Sequence, residues 1–337
     1  MRLLLSMILM LAVGCSNKPQ PQVVVYAALD REFSEPVLND FQATENIEVR
    51  AKYDVESTKT VGLVTALIQE QNRPRCDVFW NNEILHTLRL EKLGLLEPFA
   101  FPGSDEWPAE YRSPRGTWYG LAARARVIIV NTQQVKPEDR PQSIEDLTDP
   151  KWKGNCGIAK PLFGTTATHA AVLFSAWGEE RAKTFFHDVR QNAQVLSGNK
   201  QVALAVASGQ IAWGITDTDD AIVEKEQGQP VEIIYPDQGD DQLGTLMIPN
   251  TVVLMKGAPH AAEANKLLRY IHSAEHGVEE RLAKGASAQF PINPAVTVQP
   301  RVAPGAVLRR MKVDFTAAAE KWETAAEFLK EEFAATP

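Results

Sequence analysis

The feature that most constrains this chain is the alternation of short apolar runs with segments of helical period over residues 23–93. Val23 to Tyr26 (VVVY) is continuous and apolar, as a strand buried on both faces requires. Phe33, Val37, Leu38 and Phe41 then fall at helical spacing, and Ile47 to Tyr53 alternates like a strand. Thr60 to Gln71 reads as a helix with Val61, Val64, Leu67 and Ile68 on one face. Cys76 to Trp80 reads as the next strand and Glu83 to Leu93 as the next helix. The order β-α-β-α-β-α demands a parallel sheet covered on both faces.

A second series follows. Tyr119 to Asn131 is one long extended run, and Ser143 caps a short helix start through Leu147. Gly157 to Pro161 precedes a helix that begins near Thr166 and runs through Ala170, Phe174 and Trp177. Val202–Ser208 and Ala221–Gln227 read as helices. Ile211–Ile215, Val231–Tyr235 and Thr251–Met255 read as strands. Ala261–His272 is amphipathic, and Phe315, Trp322, Ala326, Leu329 and Phe333 form one helical stripe. Two β-α series over 337 residues suit two domains.

The start of the chain points to export. Residues 1–15 read as one cation, Arg2, then an apolar stretch too short to span a bilayer, then Cys15. Ala12-Val13-Gly14-Cys15 reads as a lipobox in which Cys15 is lipidated; the alternative is a simple signal peptide cut near Gly14. Residues 16–22, with two prolines, suit a tether. A periplasmic or cell-surface protein held to a membrane only by a lipid is expected. The formal charge is −8 with no basic stripe, which argues against nucleic acid as a partner. Cys76 and Cys156 either pair in an oxidising compartment or stay as buried thiols.

In parallel sheets, ligands sit beyond the carboxyl ends of strands, where helix N-termini point. Candidate positions are therefore Ala28–Arg31, Glu56–Lys59, Asn81–Glu83, Phe163–Thr166 and Asp217–Asp220. Asp217, Asp219 and Asp220 form a hard-oxygen cluster suited to a cation or an amine; equally, they suit the cap and first turn of a helix. Gly164-Thr165-Thr166 opens a helix and suits an anion, without the lysine of a Walker loop. Arg124 and Arg126 share one strand face, as a bidentate anion clamp or as surface charges. Ser197 and Asn199 lie in a turn before a helix, within reach of a ligand. Ser197-x-x-Lys200 lacks the companion motifs of penicillin-recognising enzymes. His272 and His276 stand four apart but lack the zincin glutamate, so they read as histidines near a helix end. No nucleophile–base constellation supports an enzyme.

Five segments carry a resemblance: VVVYAALDREFSEPVLNDF, CDVFWNNE, WYGLAARARVIIVN, GTTATHAAVLFSAWG and LSGNKQVALAVASGQIAWGITDTDDA. In this order they resemble the ferric-ion-binding branch of bacterial extracellular solute-binding proteins, which serve ABC importers. The resemblance implies an α/β, two-lobed periplasmic-binding-protein-like fold (type II), each lobe a mostly parallel sheet flanked by helices. It implies hinge crossovers near Arg124 and Ile248, with lobe 1 at 22–125 plus 250–300 and lobe 2 at 126–249 plus 301–337. Ligand would bind between the lobes, with no reaction, and a membrane permease and its ATPase would be the partners of a monomer.

Residue by residue, the branch's adjacent iron-binding tyrosines fall at Asp219 and Asp220, and its first-strand histidine near Asp30. An acidic ligand falls at Asn82 or Glu83, the anion-binding helix start at Gly164, Thr165 and Thr166, and the paired arginines at Arg124 and Arg126. The expected cargo is Fe³⁺ or another hard metal ion with carbonate or phosphate. The alternatives are a small organic anion such as a phosphorylated metabolite, or a metal-assisted hydrolase.

Overall fold

The computed structural model describes residues 20–54, 60–301 and 307–334. The signal segment, Cys15, most of the tether and the Glu56–Lys59 candidates lie outside the described residues.

The first series runs β1 (Gln22–Ala27), α1 (Arg31–Glu45), β2 (Glu48–Tyr53), α2 (Val61–Gln69), β3 (Val78–Asn81), α3 (Leu85–Lys92) and β4 (Leu96–Glu97). The long strand β5 (Trp118–Asn131) follows. The second series is β6 (Cys156–Ala159), α4 (Gly164–Ala176), α5 (Glu179–Asn192), β7 (Gln194–Leu196), α6 (Asn199–Ala207), β8 (Trp213–Asp217), α7 (Thr218–Glu226) and β9 (Val231–Ile234). The chain returns through β10 (Met247–Met255), α8 (Ala261–His272), α9 (Val278–Lys284) and α10 (Phe315–Phe333).

The strand order is β2-β1-β3-β10-β5-β8-β6-β7, with β4 on β10 and β9 on β5. β1, β2 and β3 are mutually parallel, as are β6, β7 and β8. β5 joins the two sets. Residues 118–125 pair with β10, and residues 126–131 pair with β8 and β9. All fourteen residues of β5 are buried, which its near-continuous apolar composition permits. Arg124 and Ile248, the expected crossover positions, are register partners in β5 and β10.

Burial builds the core in three clusters. Two lie on the faces of the first sheet, one of them running on into the second half through Val127, Ile129, Val206 and Ala221, and the third, with Trp213, Phe174 and Phe186, belongs to the second. α10 crosses between them. Phe315 and Ala318 pack with first-sheet residues, whereas Ala325, Leu329 and Phe333 pack with the second cluster. α10, in the segment 301–337 expected in lobe 2, therefore touches both halves. Cys76 and Cys156 are free and buried in different clusters, which settles the alternative in favour of two thiols. Burial pushes the Cys156 thiol up to about 12 and raises that of Cys76 as well.

Candidate functional site

Where the two half-sheets meet, strand ends and helix starts open onto a cavity of about 500 Å³. Its base is a polar network on β5 and β8. Arg126 and Asp217 are directly opposed in that ladder, and Arg126 Nη1 lies 2.7 Å from Asp217 Oδ1. The same nitrogen reaches Asn199 Oδ1 at 3.0 Å, while Nη2 donates to Thr166 Oγ1 at 3.3 Å. Thr165 Oγ1 donates to Asp217 Oδ2 at 2.5 Å and Asn199 Nδ2 donates to it at 3.1 Å. Burial alone would raise the Asp217 carboxyl, but Arg126 and Arg124, with the Thr165 hydroxyl, outweigh it and hold the group below the usual range. Asp217 occupies the N-cap position of α7 yet makes no side-chain cap bond. The capping alternative fails for this residue, because its carboxylate turns to the arginines instead.

Arg124 stands beside this network. Its Nη1 lies 3.5 Å from Asp219 and 3.8 Å from Asp217, and Nη2 donates to the Asn82 carbonyl. Burial opposes its charge, but Asp219, Asp217, Asp30 and Asp220 raise its pKa. The guanidinium is thus ringed by carboxylates from both halves: Asp30 follows β1, and the others end β8 or open α7. One oxygen from each of Asp217, Asp219 and Asp220 lies within 4.8 Å of the others, a geometry that can hold a metal ion.

Four helix starts face the same space, those of α1, α4, α6 and α7. Gly164 opens α4 at φ +60°, a conformation that favours glycine. Thr165 and Thr166 follow it, and Asn199 opens α6. Asp219 and Asp220 sit in the first turn of α7.

Among the sequence-predicted residues, Asp30, Asn82, Arg124, Gly164, Thr165, Thr166, Asn199, Asp217, Asp219 and Asp220 line the cavity. Arg126 lies beneath it, 1% exposed and committed to Asp217. Glu83 and Ser197 are not among the lining residues. The Glu83 carboxylate accepts from Asn81 Nδ2, the backbone N–H groups of Leu85 and His86, and Thr168 Oγ1. It therefore secures the start of α3 and ties it to α4. Ser197 is exposed, one residue short of the lining turn. Lys160 and Lys200, which sequence reasoning passed over, also line the cavity. Lys160 directly follows β6, so the strand-end rule contained that signal. His272 is buried in an aromatic cluster, stacked on Phe101, and His276 stacks on Tyr270. Neither lines the cavity.

Residues 87–318 match the family described as Bacterial extracellular solute-binding protein. Among curated relatives, the chain is 23% identical to the major ferric iron-binding protein of Neisseria meningitidis, covering 92% of each chain. Among solved structures, iron-bound HitA from Pseudomonas aeruginosa superposes with a TM-score of 0.82 at 21% identity, covering 93% of this chain and 99% of that one. The periplasmic binding protein AfuA from Actinobacillus pleuropneumoniae, with exogenous fructose-6-phosphate bound, gives 0.80 at 24% identity, covering 94% and 99%. At these identities the structural likeness shows the two-lobed fold.

Proposed function

The chain belongs to the bacterial extracellular solute-binding proteins, and from that membership we propose that it carries a hard cation, such as Fe³⁺, together with a small anion to an ABC importer. Proteins of this family are transport components that hand over a solute unchanged. The observation that carries the cation reading is the convergence of carboxylates, with Asp217, Asp219 and Asp220 oxygens within 4.8 Å. Asp217 is engaged by Arg126, Thr165 and Asn199, so a cation would draw mainly on Asp219, Asp220 and Asp30, which line the cavity with Arg124 beside Asp219. Carboxylates are hard oxygen donors and replace the phenolates of the iron-binding branch. The backbone N–H groups at the starts of α4 and α6, with Lys160 and Lys200, would hold carbonate or phosphate.

Closure follows from this division. Asp30 belongs to the first half and Asp219 and Asp220 to the second. A solute that touches all three favours the closed arrangement, because only there does it gain both sets of contacts. The closed form would be presented to a permease and its ATPase by a monomer, anchored through lipid on Cys15.

A second reading is favoured by the cavity itself. About 500 Å³ exceeds what one ion and a small anion fill, and lies in the range of organic-ligand sites. A phosphorylated organic solute would put its phosphate at the helix starts and its hydroxyls on Asp30, Asp219 and Asp220. The likeness to a structure with fructose-6-phosphate bound supports it.

A thermal-shift screen separates the two. The probes are Fe³⁺ with carbonate or phosphate, divalent metals, and sugar phosphates without metal. Binding at a hundred times Kd stabilises by about 2.7 kcal/mol. A shift with Fe³⁺ that needs the anion supports the first reading, a shift with sugar phosphate alone supports the second, and silence from every probe contradicts both.

A further inference from the structure

Two residues before Arg124, β5 carries an irregularity that the sequence does not announce. Pro249 pairs with Ala123 and Asn250 with Leu121, so Ala122 is an extra residue with no partner in β10. It adopts φ +47° while wholly buried. Such a conformation persists in a non-glycine residue only when its surroundings hold it.

The holding groups are on the page. Ala122 N–H donates to Glu279 Oε1 at 2.5 Å. Glu279 also accepts from Ile292 N–H at 3.0 Å and Asn293 N–H at 2.7 Å, and is 3% exposed. From the other side, Asn250 Nδ2 donates to the carbonyls of Leu121 and Ala122 at 2.9 and 3.0 Å. The donor of the extra residue and the acceptors around it are thus taken by side chains rather than by the ladder. A bulge re-aims the side chains that follow it, and those are Arg124 and Arg126.

We infer that Glu279, outside the cavity, is a positioning residue for the binding site: its carboxylate holds the Ala122 bulge that turns Arg124 and Arg126 toward Asp217 and Asp219. The inference rests on the reading that these arginines form part of the solute site. Glu279→Met keeps the length of the side chain but removes both acceptor oxygens, so that Ala122, Ile292 and Asn293 N–H all lose their partner.

The test reads the arginines directly and binding separately. The Nε–H resonances of Arg124 and Arg126, assigned through Arg124→Lys and Arg126→Lys, are recorded by NMR for the parent and for Glu279→Met. Affinity is measured in parallel for Fe³⁺ with phosphate and for fructose-6-phosphate. Leu329→Ala, in α10 and outside the cavity lining, serves as a control for general destabilisation. The expected result is displaced Arg124 and Arg126 resonances in Glu279→Met and affinity weaker by about tenfold to a hundredfold, as for other residues that orient ligand-binding groups. Glu279→Asp, which keeps the carboxylate, recovers part of both, and Leu329→Ala moves neither. Unmoved arginine resonances in a folded Glu279→Met protein overturn the inference, whatever binds. If the parent binds neither probe, the solute reading fails, and the resonances alone decide the role of Glu279.

Discussion

Arg124 lies 3.5 Å from Asp219, the first on the strand shared by both half-sheets and the second in the opening turn of α7. The guanidinium therefore already shares the Asp219 carboxylate that a bound cation would use. It lowers the mutual repulsion of Asp217, Asp219 and Asp220, and it competes for the same oxygens.

Replacing Arg124 separates the two kinds of solute. In Arg124→Gln the cluster keeps its carboxylates but loses its resident cation. Affinity for a hard cation without anion is expected to rise by about tenfold, the order of a ~1.4 kcal/mol change in charge interaction. Affinity for a phosphate-bearing solute is expected to fall. Calorimetric titration of each variant checks both signs, and a loss of cation binding would contradict the competition.

The Arg126–Asp217 pair is structural as much as functional. Both side chains are at most 2% exposed. Asp217→Ala leaves Arg126 buried without its carboxylate, which costs about 3–5 kcal/mol. Urea denaturation should show a lower midpoint of that order. The double variant Arg126→Met with Asp217→Leu should recover much of it, since an apolar pair removes the unpaired charge.

Acid should weaken the fold before it strips the site. Burial, with Arg126 beside it, pushes His169 down from 6.5 to about 3. Burial likewise lowers His272 from 6.5 to about 4. A histidine depressed in the folded state lends stability that is complete above the unfolded value near 6.5 and is lost progressively as pH falls toward the folded value. His272 Nδ1 lies 2.8 Å from the Leu268 carbonyl, an acceptor only, so Nδ1 carries the proton. Its share of the slope is at most about 1.4 kcal/mol per pH unit. Melting curves from pH 4 to 8 should fall below pH 6.5, and His272→Gln should flatten that fall. Parallel profiles for parent and variant would contradict the assignment.

Reductant should not change stability. Cys76 and Cys156 are buried in separate clusters, and burial keeps both thiols protonated. In a chain starting at Ser16, a thiol reagent should react slowly with the folded protein and with both cysteines in denaturant. A melting temperature that drops with dithiothreitol would show a disulfide that the fold does not contain.

The parallel series were legible because each strand and helix repeats a simple apolar period, as in Val23–Tyr26 and the face of Val64 and Leu67. The strand-end rule then found nearly half of the cavity residues without reference to packing. It erred at Glu83, because a carboxylate after a strand serves equally to cap the next helix. α5 was overlooked although Ala182, Phe185, Phe186 and Val189 mark its buried face, since the surrounding charges mask that stripe. The Ala122 bulge had no sequence signal. An alanine in an apolar strand looks regular, and its partner Glu279 is 157 residues away. Whether Asp217 caps a helix or meets an arginine is likewise decided by the β5–β8 register, which local pattern does not specify.

The most direct test of the account is isothermal titration of the parent and of Asp219→Ala/Asp220→Ala with Fe³⁺ plus phosphate and, separately, with fructose-6-phosphate. The account predicts saturable one-to-one binding of one of these by the parent. It also predicts loss of that binding in the folded double variant, because the Asp219 and Asp220 carboxylates line the cavity where the solute would sit. Equal affinity in parent and double variant would contradict it.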